Sequence, residues 1–212
     1  NPQSPIPNPQ SPIPIFKYEF IFLKYIYKII NKNKLQIIIF FCLKMSEKKE
    51  IKVVFGDITK NNYNQLKQLN NLSLPVRYGD GFYGRIVHHY RYGRFAYYND
   101  VIVGAITWKY DHCENTNQKN VYIMTINVLE PYKRCKIGTQ LLKELINLHK
   151  DMKEISYINL HVQESNEIAR KFYISAGFEE VKKIENYYTD VEPRGAYYLR
   201  YKLHDPEENK SN

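Results

Sequence analysis

The chain has 212 residues, 43% hydrophobic and 25% charged, enough for one large domain with a real core and not the composition of a wholly disordered polymer. Of its formal charge of +9, residues 1–44 hold six Lys against one Glu, so the remaining body is only mildly basic. That balance suits a small anionic ligand, and the absence of a Lys/Arg-rich run in the body argues against direct nucleic-acid binding. Three cysteines, Cys42, Cys113 and Cys135, are too few and too scattered for a disulfide framework or a zinc site. A reducing compartment is expected, cytoplasmic and also nuclear.

Residues 1–7, NPQSPIP, recur unchanged as residues 8–14, and Ile15 to Lys44 is dominated by Ile, Phe, Lys and Tyr, which share AT-rich codons. The chain begins with Asn, and Met45-Ser-Glu opens an ordinary soluble sequence. Residues 1–44 therefore read as a low-complexity leader, disordered or translated from upstream DNA. The longest uncharged apolar stretch, Leu35 to Leu43, is far short of the roughly 20 residues of a membrane span, so no membrane role is expected.

From Met45 onward, Ile51, Val53 and Phe55 alternate in a short strand that Gly56-Asp57 ends. Thr59 is suited to cap a helix carrying Tyr63, Leu66, Leu69 and Leu72, and a second helix is expected over Gly81 to Tyr90. Asn99-Asp100, between Arg94–Tyr98 and Val101–Asp111, is a hairpin signal. Tyr122, Met124, Ile126 and Val128 alternate in the next strand, and Ile137, Leu141, Leu142, Leu145 and Ile146 form one face of a helix. Ile155 to Val162 is a strand, and Ser165 caps a helix carrying Ala169, Phe172 and Tyr173, with Gly177 at its left-handed end. Phe178–Glu185 and Ala196–Leu203 close the sheet. The order β α α β β β α β α β β describes one α+β domain over residues 45–204, followed by a tail, 205–212.

Gly79-Asp80-Gly81-Phe82-Tyr83-Gly84 matches G-x-G-x-x-G, but it follows a helix and Pro75, whereas a dinucleotide site must follow a strand, so it reads as a turn. The informative stretch runs from Tyr122 to Thr139: a strand, a basic turn and an amphipathic helix. Its helix N-terminus has free N–H groups able to hold a pyrophosphate. Here the chain resembles the GNAT superfamily of N-acetyltransferases, whose acetyl-CoA motif is Gln/Arg-x-x-Gly-x-Gly/Ala. Asn166, Ala169, Phe172-Tyr173 and Ala176-Gly177-Phe178 resemble that family's second CoA segment. Five blocks in order, Leu74-Pro75-Val76-x-Tyr78, Tyr122-Ile-Met-Thr125, Leu160-His-Val-Gln163, Ser165-Asn166-Glu167 and Asn186-Tyr-Tyr188, narrow the resemblance to the San-type, or NatE, catalytic subunits.

The resemblance implies the GNAT acyl-CoA N-acyltransferase fold, a mixed central sheet with helices on both faces. It implies Tyr122 and His161 as general bases. It implies Leu74, Pro75, Val76, Tyr78, Met124, Tyr187 and Tyr188 as the site for a polypeptide N-terminus. Acetyl-CoA would be held by Ile126, Val128, Lys133, Arg134, Lys136, Ile137, Gly138, Thr139, Asn166 and Tyr173, with no metal. Its partners would be NatA-like auxiliary and catalytic subunits at the ribosome. Three residues depart from the family pattern: Leu74 stands where Phe is usual, which bears on the shape of the pocket, Lys133 stands for the first Arg or Gln, and Lys136 for the first glycine, where it either obstructs the phosphate or compensates with its charge.

Without the family, Tyr122 and His161 read equally as core residues. What favours chemistry is that both strands lead directly into the two loop–helix segments. Amine acetylation needs a proton removed before attack on a thioester, which Tyr and His relaying through water can do. Cys135, near a helix start, reads as a structural thiol rather than an acyl carrier. The peptide walls that the resemblance implies are apolar and contain no acid, which favours Met followed by a hydrophobic residue; direct transfer in a ternary complex is the expected mechanism. Rival readings are a lysine or small-amine acetyltransferase, and a catalytically weakened scaffold subunit.

Overall fold

The computed structural model describes residues 50–74, 77–87, 92–112, 118–189 and 191–205. The leader 1–44, Pro75, Val76, Cys113 and residues 206–212 of the tail lie outside the described residues.

Seven strands form one sheet: β1 (Val54–Asp57), β2 (Gly93–Tyr98), β3 (Val101–His112), β4 (Lys119–Val128), β5 (Ile155–Gln163), β6 (Glu179–Ile184) and β7 (Ala196–Lys202). Their order is β1-β2-β3-β4-β5-β7-β6, and β4 and β5 run parallel while the other neighbours are antiparallel. Among the described residues the α-helices are α1 (Tyr63–Ser73), α2 (Asp80–Arg85), α3 (Ile137–His149) and α4 (Glu167–Ser175). Helix α3 is the crossover that parallel β4 and β5 require. The β2–β3 hairpin turns through Asn99 and Asp100 at φ 46° and 63°, the positive values a tight primed turn demands. Gly177 takes φ 92° after α4, as expected.

Two cores sandwich the sheet. Leu141, Leu142 and Leu145 of α3 pack with Ile123, Ile158, Leu160 and Val162. Leu66 and Leu69 of α1 and Phe82 and Tyr83 of α2 pack with Tyr122 and Met124. Tyr122 and Ile123 are neighbours on β4 yet belong to different cores, so the helices cover both faces.

The uniform alternation expected along β4 does not hold. Thr107 pairs with Thr125 and Trp108 with Ile123, which leaves Met124 as an extra residue in a bulge. The bulge moves the later residues to the other face, so Tyr122 and Met124 face α1 and α2 while Ile126 joins the α3 core. A 2.6 Å contact between the buried Thr107 and Thr125 hydroxyls closes it.

Smaller expectations are also corrected. The N-cap of α1 is Asn62 and not Thr59, because Thr59 N donates to Asn62 Oδ1 (2.7 Å) and Asn62 Nδ2 donates to Asp57 O (2.8 Å), forming a polar turn ahead of the helix. Asn166 and not Ser165 caps α4; it accepts from Ala169 N at 3.1 Å, while Ser165 Oγ turns back to Gln163. Gly79–Gly84 is not a turn but the start of α2, with Gly79 as its N-cap; helical backbone continues through Ile86 and Val87, and the expected end at Tyr90 lies outside the described residues.

Gly104 lies where β3 approaches β4: a Cβ there would sit 2.8 Å from Asn127 O and 3.3 Å from Leu141 Cδ1. Since the backbone of a paired strand cannot give way cheaply, Gly104→Ala is expected to cost about 1–3 kcal/mol of stability, read as a lowered Tm.

Candidate active site

The β4–β5 ladder ends at Tyr122↔Asn159. Beyond it β4 runs on to Val128 paired with β3, and β5 runs on to Gln163 paired with β7. The sheet therefore opens as a wedge with Tyr122 at its vertex. His161, two residues past Asn159, points to the same face, and Tyr122 Oη lies 3.0 Å from His161 Nδ1. Tyr187, from the β6–β7 connection, completes the cluster: its hydroxyl is 3.2 Å from that of Tyr122, and its ring stacks on His161 at 4.0 Å and 17°. Tyr188 packs edge-on against Tyr187 at 4.9 Å, and its N–H donates to Arg194 O at 2.9 Å, which anchors the connection.

Burial and the Tyr187 hydroxyl push Tyr122 well above the usual phenol range, so it keeps its proton at neutral pH. His161 moves the opposite way, down to about 4, through burial and then the ammonium groups of Lys182 and Lys109. The imidazole is therefore neutral and free to accept a proton. Burial also raises Tyr187 and Tyr78, and neighbouring Tyr188, Tyr83 and Tyr122 hydroxyls add to the shift at Tyr78. The protonated Tyr122 phenol and the neutral His161 imidazole are thus joined by a single hydrogen bond.

Of the expected peptide site, Met124 is buried among Phe82, Tyr83 and Tyr122, and Tyr78 packs against the same core, stacked on Phe82 at 4.2 Å. Leu74 is buried at the end of α1, its N–H bound to Asn70 O at 2.8 Å.

At the cofactor end, Ile126 and Val128 lie on the parted arm of β4, and the basic turn leads into α3. Arg134 and Lys136 adopt φ 67° and 58°, so Lys136 holds the left-handed geometry that glycine supplies in the family motif. No side chain caps α3, which leaves its first turn, Ile137-Gly138-Thr139, able to meet an anion. Lys136 Nζ pairs with Glu50 at 3.1 Å and Lys133 Nζ with Glu130 at 2.5 Å. The two parted strands and the open helix start fit a long ligand with a phosphate end. Asn166 is committed to capping α4, and Tyr173 is buried against Phe172 and Phe178. Cys135 is buried, with Sγ 3.7 Å from Lys133 O, as a structural thiol would be.

Sequence reasoning missed Lys109 and Asp111. Lys109 pairs across the ladder with Tyr122, holds its Nζ 5.1 Å from that ring's centre and forms a 2.7 Å ion pair with Asp111. The bulge and the Cys113–Lys119 connection hid that register. Among the described residues, no group of three or more His, Cys, Asp or Glu is disposed to hold a metal ion, and no helix is long and apolar enough to cross a membrane.

Residues 63–178 match the profile of the Acetyltransferase (GNAT) family. N-alpha-acetyltransferase 50 of Danio rerio is 41% identical over 155 residues, 73% of this chain and 91% of that protein. The probable N-acetyltransferase san of Drosophila melanogaster is 40% identical over 151 residues, 71% of this chain and 81% of that protein. Among solved structures, Arabidopsis thaliana Naa50 in complex with the bisubstrate analogue CoA-Ac-MVNAL is 39% identical with a TM-score of 0.64, covering 71% of this chain and 98% of that one.

Proposed function

The chain belongs to the acetyltransferase (GNAT) family, and from that premise we propose that it acetylates the α-amino group of polypeptide N-termini, preferring Met followed by a hydrophobic residue, by direct transfer in a ternary complex. The observation that carries this reading is the 3.0 Å contact between Tyr122 and His161 at the vertex of the wedge. Acetyl-CoA is the second substrate and supplies the activated acetyl thioester. The parted backbone of β4 and the first turn of α3 are the groups that fit its length and its phosphates. Support for the peptide comes from the relative solved with an analogue bearing the sequence MVNAL, Met followed by an apolar residue.

As the amine nitrogen bonds to carbon its proton becomes acidic, so a neutral imidazole suffices as acceptor. Tyr122 takes that proton on its hydroxyl oxygen, directly or through water, and passes its own to His161 Nδ1. Tyr187 and Tyr188 offer ring faces and hydroxyls to the peptide backbone. The test is incubation with acetyl-CoA and a Met-Leu-start peptide carrying an internal Lys, with the modified atom located by mass spectrometry. Acetylation confined to the lysine would replace this reading with the lysine acetyltransferase.

We further infer a cytoplasmic and nuclear site of action, on the three scattered cysteines of the sequence, and NatA-like subunits at the ribosome as partners, on the family resemblance.

Because His161 sits near 4, it does not titrate in the physiological range. The kcat/KM profile is expected to rise through the α-amine range, about pH 7.7–8.0, and to carry no inflection near 6.5. An inflection at pH 6–7 that disappears in His161→Phe would show that the imidazole titrates there.

For Lys136 the observed geometry favours neither obstruction nor compensation: its ammonium is drawn off to Glu50, and both side chains are more than half exposed. An exposed pair contributes at most about 1 kcal/mol, so Lys136→Gly is expected to change acetyl-CoA affinity by no more than about fivefold. Calorimetric titration checks this. A much tighter complex means obstruction, and a much weaker, less salt-sensitive one means that the lysine carries the phosphate.

A further inference from the structure

A second polar cluster is buried beside the peptide wall, outside the proton-handling group. Asn127 sits on β4 beyond the point where β4 and β5 part, with 6% exposure. Its Nδ2 donates to Asn70 Oδ1 of α1 at 2.5 Å, and the fully buried Asn70 donates from Nδ2 to the Tyr83 hydroxyl of α2 at 3.3 Å. Asn127 Oδ1 is itself buried with no hydrogen-bond partner among the described residues. An acceptor left in that state costs stability, and an apolar side chain would fill the place without it.

What the cluster supplies is position. Lys67 and Asp80 already join α1 to α2 at the surface, at 2.5 Å, whereas Asn127 bonds α1, and through Asn70 also α2, to β4. The chain of bonds reaches both ends of the α1–α2 connection. At one end Asn70 O holds the N–H of Leu74 at 2.8 Å. At the other, Tyr83 meets Phe82 edge-on at 5.1 Å, and Tyr78 stacks on Phe82 at 4.2 Å.

We propose that Asn127 is a positioning residue that, through Asn70 and Tyr83, holds Leu74 at the end of α1 and Tyr78 ahead of α2 in place against the parted arm of β4 and so sets affinity for the peptide's first residue rather than the rate of transfer. This rests on the reading of Leu74 and Tyr78 as peptide wall.

The experiment compares the native full chain with the paired Asn70→Leu, Asn127→Leu variant and with Tyr83→Phe, measuring Tm, acetyl-CoA Kd by calorimetry, and kcat and KM for a Met-Leu-start peptide. Removing both partners of a buried bond is nearly neutral for stability, so the paired variant is expected to stay folded. Its peptide KM should rise about three- to tenfold, the worth of one hydrogen bond's hold, while kcat and acetyl-CoA Kd stay within about twofold. Tyr83→Phe, which deletes a single hydroxyl, should raise KM less and in the same direction. An unchanged KM in a folded variant, or a loss that falls on kcat alone, overturns the proposal. If the paired variant unfolds, Tyr83→Phe decides by the same criterion. Native protein that leaves the peptide unmodified defeats the peptide reading itself, an outcome no variant is needed to recognise.

Discussion

Tyr122→Phe and His161→Phe are each expected to lower kcat by about 10²- to 10⁴-fold, the usual cost of losing a general base, and to leave acetyl-CoA affinity nearly unchanged. Each substitution keeps an aromatic body in a buried place, so the packing of Tyr122 among Phe82, Tyr83 and Met124 and the stack of Tyr187 on His161 survive. What is lost is the Oη to Nδ1 contact, 3.0 Å long. Because the phenol is held protonated and the imidazole neutral, neither does the whole task alone. The double variant is therefore expected to be no slower than the slower single one, since groups acting as a unit are not additive. Additive losses would make the two independent bases, and near-full kcat in either single variant would remove that residue from the relay. Stopped-assay kinetics with calorimetry on each variant separates the outcomes.

The elements legible in the sequence are those whose cause is local. Asn99-Asp100 specifies its turn through two residues tolerant of positive φ, and the leucine stripe of α3 specifies its buried face. The β4 bulge was not legible, because the sequence alternation Tyr122, Met124, Ile126, Val128 is regular and only the pairing with β3 reveals the extra residue. The helix caps were misplaced by a few residues for a related reason: Thr59 and Ser165 have capping chemistry, but their hydroxyls are engaged in the turns before each helix. At the site, the resemblance supplied Tyr122 and His161, whose contact spans 39 positions and follows from the parallel register of β4 and β5. Lys109 was hidden by the same bulge. Asn127 left a readable trace, an amide between the apolar Ile126 and Val128 of β4, which composition alone does not connect to Asn70.

Peptides that begin with Met followed by a hydrophobic residue are expected to exceed Ser-start and acidic-start peptides in kcat/KM by about 1–3 kcal/mol, or roughly 10- to 200-fold. The walls decide this. Leu74 and Met124 are buried apolar side chains, and Tyr78 lies against Phe82 in the core shared with Met124. Filling such a surface with a Met side chain removes apolar area from water, which a Ser side chain does not. An acidic first residue is worse placed again, since Tyr78, Tyr122 and Tyr187 are already pushed up by burial and resist further negative charge. Internal lysines are disfavoured by a different feature. Among the described residues, the nearby carboxylate whose charge is felt at Tyr122 and Tyr187, that of Asp111, is already engaged by Lys109 at 2.7 Å. The Tyr187-Tyr188 segment, anchored through Arg194 O, borders the vertex and is expected to favour a chain end over a side chain with backbone on both sides. A panel varying the first two residues, with one member blocked at its N-terminus and carrying an internal lysine, measures these differences directly. Equal kcat/KM across the panel would reject the N-terminal specificity and leave acetyl transfer itself standing.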